Sequence, residues 1–191
     1  MEFVRKNPLI ILVAGRAGNG KSTLAKHLET IYIKSGKKVV MSPYTKYLKQ
    51  YIENIMYMKI DDNNKPRDLL QQISSKIIKG DLGYKDFFIR RQIEDIEIYS
   101  YFVDVIIVSD VRFPEEIDII KEKFSNVISI GIKREDYIST LSLEQQQDIT
   151  EIALNHYHEY DYEVINNNDV DLKEVARELI DKINIRRENH E

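Results

Sequence analysis

The 191-residue chain contains no cysteine and no tryptophan. Without thiols it can form no disulfide framework, no thiolate zinc site and no catalytic cysteine, and it is indifferent to the redox state of its surroundings. A basic excess is also missing. The formal net charge of -4 supplies none of the cationic field that holds a nucleic-acid polymer through counterion release, so any nucleic-acid partner is expected to be a monomeric nucleotide. The first apolar run, Pro8 to Gly15, is too short to span a bilayer and has no small-residue cleavage pattern behind it. Neither signal peptide nor membrane helix is expected, and the cytoplasm is the default location. His27, His156, His158 and His190 lack metal-ligand spacing, although His156 and His158 could touch a nucleotide. There is no internal repeat, and Gln145 to Gln147 and Asn166 to Asn168 are too short to be more than loop or helix surface.

What is present fits a globular chain: 42% hydrophobic and 31% charged residues, with 12 Tyr and 6 Phe as aromatic anchors. The length suits one domain. Short apolar runs alternate with amphipathic stretches, the pattern of an α/β fold with a parallel sheet covered by helices on both faces. Five buried strands are expected, at Leu9 to Val13, Lys38 to Met41, Val103 to Val108, Val127 to Ile132 and Tyr162 to Ile165. Leu24, Leu28, Ile31 and Tyr32 mark a helix ended by Gly36, and Ile117, Ile120 and Phe124 one opened by Pro114. Leu172, Val175, Ala176, Leu179, Ile180 and Ile183 follow the helical period, with Asp171 and Glu174 at capping-box spacing. Tyr44 to Phe102 lacks a convincing strand and is punctuated at Asp61 to Asn64 and at Gly80 to Gly83, so three helices are expected there. Such an insertion, at about residues 44–102, can form a substrate-binding flap.

Gly15-Arg16-Ala17-Gly18-Asn19-Gly20-Lys21-Ser22 matches G-x-x-x-x-G-K-[ST] between an apolar strand and an amphipathic helix, the context that its mechanism requires. The glycines let successive backbone N–H groups turn toward the phosphates of ATP, and the following helix aims its positive end at the same anion. Residues 15 to 22, with the adjoining Thr23, are therefore the expected nucleotide-binding stretch. Lys21 would reach the β- and γ-phosphates, and Ser22 would ligate Mg²⁺. A chance glycine-rich turn is the competing explanation, and the placement argues against it.

The run Val105 to Val108 leads through Ser109 to Asp110, where P-loop proteins keep the acid that holds Mg²⁺ or its water. Two readings are open to Asp110: metal support, or an N-terminal cap ahead of Pro114. Arg112 and Arg134 end neighbouring strands at the carboxyl edge, where an arginine clamp on a transferring phosphoryl group belongs, or each makes a surface ion pair. Arg67 sits at a predicted helix start, a poor place for a cation in dipole terms, so two readings are open to it: a phosphate partner, or plain exposure to solvent. Arg90 and Arg91 are adjacent on a predicted helix and cannot both face one site closely.

With these residues in view, the chain resembles the deoxynucleoside monophosphate kinases of bacteriophage and bacterial type, to which animal phosphomevalonate kinase is also similar. Besides the P-loop, the resemblance rests on Lys65-Pro66-Arg67-Asp68-Leu69-Leu70-Gln71, on Ser109-Asp110-Val111-Arg112-Phe113-Pro114-Glu115-Glu116, and on Thr150-Glu151 leading into Tyr160 to Asn166. It implies a single P-loop kinase domain over residues 1–191, with a three-layer P-loop NTPase fold, a helical substrate-binding insertion and a short lid at about residues 134–160. It further implies acceptor contacts from Arg67, Arg90, Arg91 and Glu151, ATP and Mg²⁺ as cofactors, and a monomer or homodimer. Ile73-Ser74, Glu115 and Thr150 depart from the family pattern, and between Gly131 and Asn168 the only permanent cations are Lys133 and Arg134. An arginine-rich lid is therefore absent.

An acceptor that is already a phosphate needs no general base, whereas a hydroxyl acceptor needs a positioned carboxylate. After the second strand comes Ser42-Pro43-Tyr44-Thr45-Lys46, and the first carboxylate is Glu53. Lys46 suits a phosphate acceptor such as a nucleoside monophosphate. A GTPase is disfavoured because Asp110 to Phe113 lacks the glycine of a D-x-x-G switch. A phosphomevalonate-kinase-like activity and a non-catalytic ATP-binding module are the remaining alternatives.

Overall fold

β-branched and leucine-rich runs become strands because both faces of a parallel sheet are covered, so every side chain along them can be buried. The computed structural model describes residues 3–57, 59–60, 66–139 and 141–189, except the side chains of Arg67 and Glu144. The punctuation expected at Asp61 to Asn64, together with Lys65 and His190, lies outside the described residues. Five strands, β1 (Leu9–Ala14), β2 (Val39–Met41), β3 (Val105–Val111), β4 (Val127–Lys133) and β5 (Tyr162–Ile165), form one sheet in the order β2-β3-β1-β4-β5. All pairings are parallel: Leu9 lies opposite Val105, Ile11 opposite Ile128, and Ile132 opposite Val164. The central strand β1 is buried along its whole length, and each such aliphatic side chain contributes about 1.5–3 kcal/mol on burial.

Alternate residues of β1 feed two cores. Leu9, Ile11 and Val13 pack with Leu24 and Leu28 of α1 (Lys21–Lys34) and with Ala176, Leu179 and Ile183 of the last helix, Leu172–Glu188. Ile10, Leu12 and Ala14 face the other layer, made by α2 (Lys46–Met56), α3 (Arg67–Gln71) with its continuation, α4 (Phe87–Tyr99) and α5 (Pro114–Lys123). The architecture is therefore the expected three-layer α/β sandwich. The β4–β5 connection carries two short helices, α6 (Leu143–Gln146) and α7 (Ile149–Ile152), and the last helix is α8.

Among the described residues the inserted region forms three helical stretches, as its composition predicts, but the middle one changes character. α3 runs directly into a π-helix over Gln72–Asp81, whose i→i+5 bonding is rare and usually confined to a single turn. Asp171 caps α8 by accepting from the Lys173 amide at 2.8 Å. Glu174 does not complete a capping box there, because its carboxylate is taken by Arg177 one turn on. The reciprocal contact occurs instead on α5, where Glu116 reaches back to the amides of Arg112 (2.7 Å) and Phe113 (3.1 Å).

Candidate active site

The loop between β1 and α1 is a backbone cradle, and its conformation dictates its glycines. Gly18 and Gly20 have φ of 80° and 98°, the left-handed region that side chains rarely adopt. A Cβ on Gly20 would lie 2.5 Å from Asn166 Nδ2, and one on Gly18 would lie 2.2 Å from the Tyr137 ring. Asn19 is buried, and its side chain donates to the Ile132 carbonyl at 2.9 Å while Asn166 donates to the Asn19 carbonyl at 2.9 Å. Asn19 thus supports the loop with its side chain instead of offering it to a ligand. Its own amide also turns inward, to the Arg16 carbonyl at 3.3 Å. The Lys21 ammonium curls over the loop, donating to the carbonyls of Gly15 (2.6 Å) and Arg16 (2.8 Å).

In front of the cradle lies a crevice of about 520 Å³, within the range of small-molecule sites. One wall carries Gly18, Gly20, Lys21, Ser22, Thr23, Asp110 and Arg112, and the other carries Thr45, Leu48, Lys49, Leu70, Gln71 and Ser74. Thr150, Glu151, Leu141 and Gln145 of the β4–β5 connection border both. A second cavity of about 430 Å³ lies beside the loop, between Gly15 to Ala17, the end of β4 with Lys133 and Arg134, and Tyr137 and Tyr160. Arg16 is exposed on that side. Ala17 and Glu151 line both spaces.

Asp110 projects from the carboxyl end of β3 into the front crevice. It does not cap the helix after Pro114. Its oxygens accept from the amides of Tyr44 (2.8 Å) and Thr45 (3.0 Å) and from the Thr45 hydroxyl (2.6 Å), so it anchors the start of α2 from across the sheet. A carboxylate has about four lone-pair sites, and three bonds leave one for a water. Among the described residues no group of three or more His, Cys, Asp and Glu could hold a metal. Ser22 and Asp110 share the crevice, a donor set that fits Mg²⁺ held mainly by phosphate oxygens and water.

Arg112 is part-buried and donates through Nη1 to Glu151 Oε1 at 2.7 Å, while Glu151 Oε2 accepts from the Ala17 amide at 2.7 Å. Glu116, under the turn that carries Arg112, is pushed up to about 7 by burial, with the Asp110 charge adding to the rise and the Arg112 and Phe113 amides opposing it.

Several expected cations are directed elsewhere. The Lys46 ammonium is paired with Asp95 of α4 and donates to Ser42 Oγ (3.1 Å) and Tyr99 Oη (3.3 Å), so it does not line the crevice. Lys49, one helical turn on, lines it instead. α4 turns Phe88, Gln92, Asp95 and Ile96 inward, which leaves Arg90 exposed and sets Arg91 against Glu94 at 3.1 Å and the Tyr47 ring. Neither arginine reaches the crevice. Arg134 is held by Asp136 (3.2 Å) and Asn168 (2.5 Å) at the second cavity, away from Lys21. Arg67 begins α3, the helix that brings Leu70 and Gln71 to the crevice. Lys49 and Tyr137 were not singled out by the sequence, and Gln71, Ser74 and Asn166 were named there only within longer stretches and without a role at the site. The helical period could have found Lys49 once the first turn of α2 was fixed, whereas Asn166 looks like polar loop until the fold brings it to Asn19.

No protein-family model matches the chain, and no characterised protein matches it in sequence. Solved structures do match in fold. An APS kinase of Mycobacterium tuberculosis in complex with AMPPNP and APS is 11% identical, with a TM-score of 0.54 over 92% of this chain and 97% of that one. A sugar kinase from Janibacter sp. HTCC2649 is 11% identical, with a TM-score of 0.52 over 91% and 92%. No helix among the described residues is long and apolar enough to cross a membrane. The chain thus shares the three-layer α/β fold of these kinases.

Proposed function

We propose that the protein is an ATP-dependent phosphotransferase acting on a small acceptor that already carries a phosphate, most specifically a nucleoside monophosphate that becomes the diphosphate. The observation that carries this reading is the continuity of the crevice. The phosphate cradle with Lys21 and Ser22 opens directly onto a second half lined by Lys49, Leu48, Leu70, Gln71 and Ser74, so a donor triphosphate and an acceptor can meet. Two fold neighbours are kinases, and one was solved with both AMPPNP and APS, which supports a site of this two-ligand kind.

In this reading the loop amides and Lys21 hold the donor phosphates, and Arg112 neutralises charge on the group in transfer. Mg²⁺ would be held by Ser22 and, through water, by Asp110, where it supplies further neutralisation of the phosphates. The acceptor phosphate is already ionised, so no general base is needed, and among the described residues the α2–α3 wall of the front crevice carries no carboxylate. Lys49 meets the acceptor's charge, with Arg67 at the head of α3 as its partner, and the inserted helices act as the acceptor flap. Leu48 and Leu70 offer apolar faces to a flat base, while Gln71 and Ser74 offer edge contacts. Residues of the β4–β5 connection form the lid.

A coupled ADP-release screen over ribo- and deoxyribonucleoside monophosphates, plus phosphomevalonate, tests this. ADP formation that depends on at least one nucleoside monophosphate is expected. Response to phosphomevalonate alone would transfer the assignment to that acceptor class, and nucleotide binding without any acceptor-dependent ADP would leave a binding module.

A further inference from the structure

We propose that Glu151 is a built-in stand-in for phosphate, a carboxylate seated in the nucleotide loop that holds Arg112 and must be displaced when a triphosphate enters. The inference rests on the reading of that loop as an ATP site. Glu151 comes from the short helix α7 and is only 8% exposed. A carboxylate this buried requires compensation, and each of its oxygens has found a group suited to phosphate. Oε2 accepts from the Ala17 amide at 2.7 Å, and Oε1 accepts from the Arg112 guanidinium at 2.7 Å. A second contact closes the same segment onto the loop. The Tyr137 ring, at the other end of the β4–β5 connection, lies so near Gly18 that an added Cβ would fall 2.2 Å from it.

Tyr137 and Glu151 therefore clamp the connection onto adjacent loop residues. An entering phosphate meets a like charge at the Ala17 amide, and in a partly buried site that repulsion is weakly screened. Glu151 leaves, and the connection lifts with it. Arg112 is thereby handed from a carboxylate to phosphate oxygens, which its planar fork grips equally well. Before that exchange the arginine is neutralised, and apparent nucleotide affinity is lowered by the fraction of molecules that are plugged.

Calorimetric titration of the full chain with Mg·ATP, and separately with pyrophosphate, in the absence of acceptor, tests the proposal. The variants are Glu151→Ala and Glu151→Gln, with thermal melting to verify the fold. If nine-tenths of the empty molecules are plugged, Glu151→Ala binds both ligands about tenfold more tightly. Glu151→Gln keeps an oxygen for Ala17 but loses the charge, so it tightens binding less, and it carries the test should the alanine variant not fold. Unchanged or weaker binding of both ligands by a folded variant overturns the proposal. If wild type and both variants bind neither ligand, the ATP reading itself fails, a result distinct from equal binding by all three.

Discussion

The phosphate loop and the inserted helices face each other across one crevice but are held by different means. Backbone conformation and buried amide side chains fix the loop: left-handed Gly18 and Gly20, Asn19 bonded to Ile132, and Asn166 bonded to Asn19. Side-chain pairs between distant segments fix the inserted helices. Lys46 is paired with Asp95, Tyr47 donates to Asp95 at 2.7 Å, and Gln92 donates to Ser42 at 3.1 Å. Asp110 belongs to both systems, since it lines the crevice and anchors the first turn of α2. Local backbone chemistry therefore sets the loop side of the crevice, and competition among tertiary partners decides which cations line the facing side.

The largest expected effect tests the loop alone. Lys21→Ala should lower phosphoryl transfer on the order of 10³-fold, because it removes a cation from the donor phosphates. Its melting temperature should change far less than turnover, since the Gly15 and Arg16 carbonyls to which Lys21 donates belong to the loop and not to a helix or strand of the core. Turnover near the wild-type value would break the assignment of this half.

A pH measurement addresses the turn that joins the halves. Burial raises Glu116 to about 7 from an ordinary 4.5, so the folded state holds a proton that the unfolded chain releases between those values. Stability should fall as pH rises from about 4.5 to about 7, by on the order of 3 kcal/mol. Glu116→Gln should flatten that slope in denaturant titrations. An identical slope in the variant would assign the dependence to other groups.

Asp110→Asn sharpens the comparison at its shared residue. It should reduce Mg²⁺-dependent turnover by about 10- to 100-fold, the usual cost of losing an outer-sphere partner of a metal, and weaken metal-free nucleotide binding much less. Equal loss in both assays would leave Asp110 with its α2 anchor alone.

The smallest effects separate two lysines of one helix. Lys49→Ala should raise acceptor KM about tenfold, or roughly 1.4 kcal/mol, with the melting temperature nearly unchanged. Lys46→Ala should instead destabilise the fold by about 2 kcal/mol, because it takes the paired cation from a largely buried Asp95 that keeps its bond from Tyr47. If the phenotypes were exchanged, the acceptor half would be built around Lys46.

This division also marks how far the site was legible in the sequence. The five strands, the loop and the crossover helices follow from local patterns, and each expected strand lies within a few residues of its observed bounds. The resemblance added Glu151, and the same local logic singled out Lys21, Ser22, Asp110 and Arg112, all of which line one crevice. It failed for Lys46, Arg90, Arg91 and Arg134, because a cation's role depends on which carboxylate or amide the fold brings beside it. Asp95 captures Lys46, Glu94 captures Arg91, and Asp136 with Asn168 captures Arg134. None of those pairings is signalled by spacing to the P-loop. The π-helical continuation of α3 is equally invisible, since Gln72 to Asp81 reads as an ordinary amphipathic helix.

The central claim is that the two halves cooperate in moving a phosphoryl group from ATP to a phosphorylated acceptor. Phosphorus NMR of the protein with Mg·ATP and the acceptor selected by the ADP screen tests it most directly. The account predicts loss of the γ-phosphate resonance of ATP, with matching growth of ADP and of a new diphosphate resonance on the acceptor. Persistence of both starting materials, or release of inorganic phosphate in place of the new diphosphate, would contradict it.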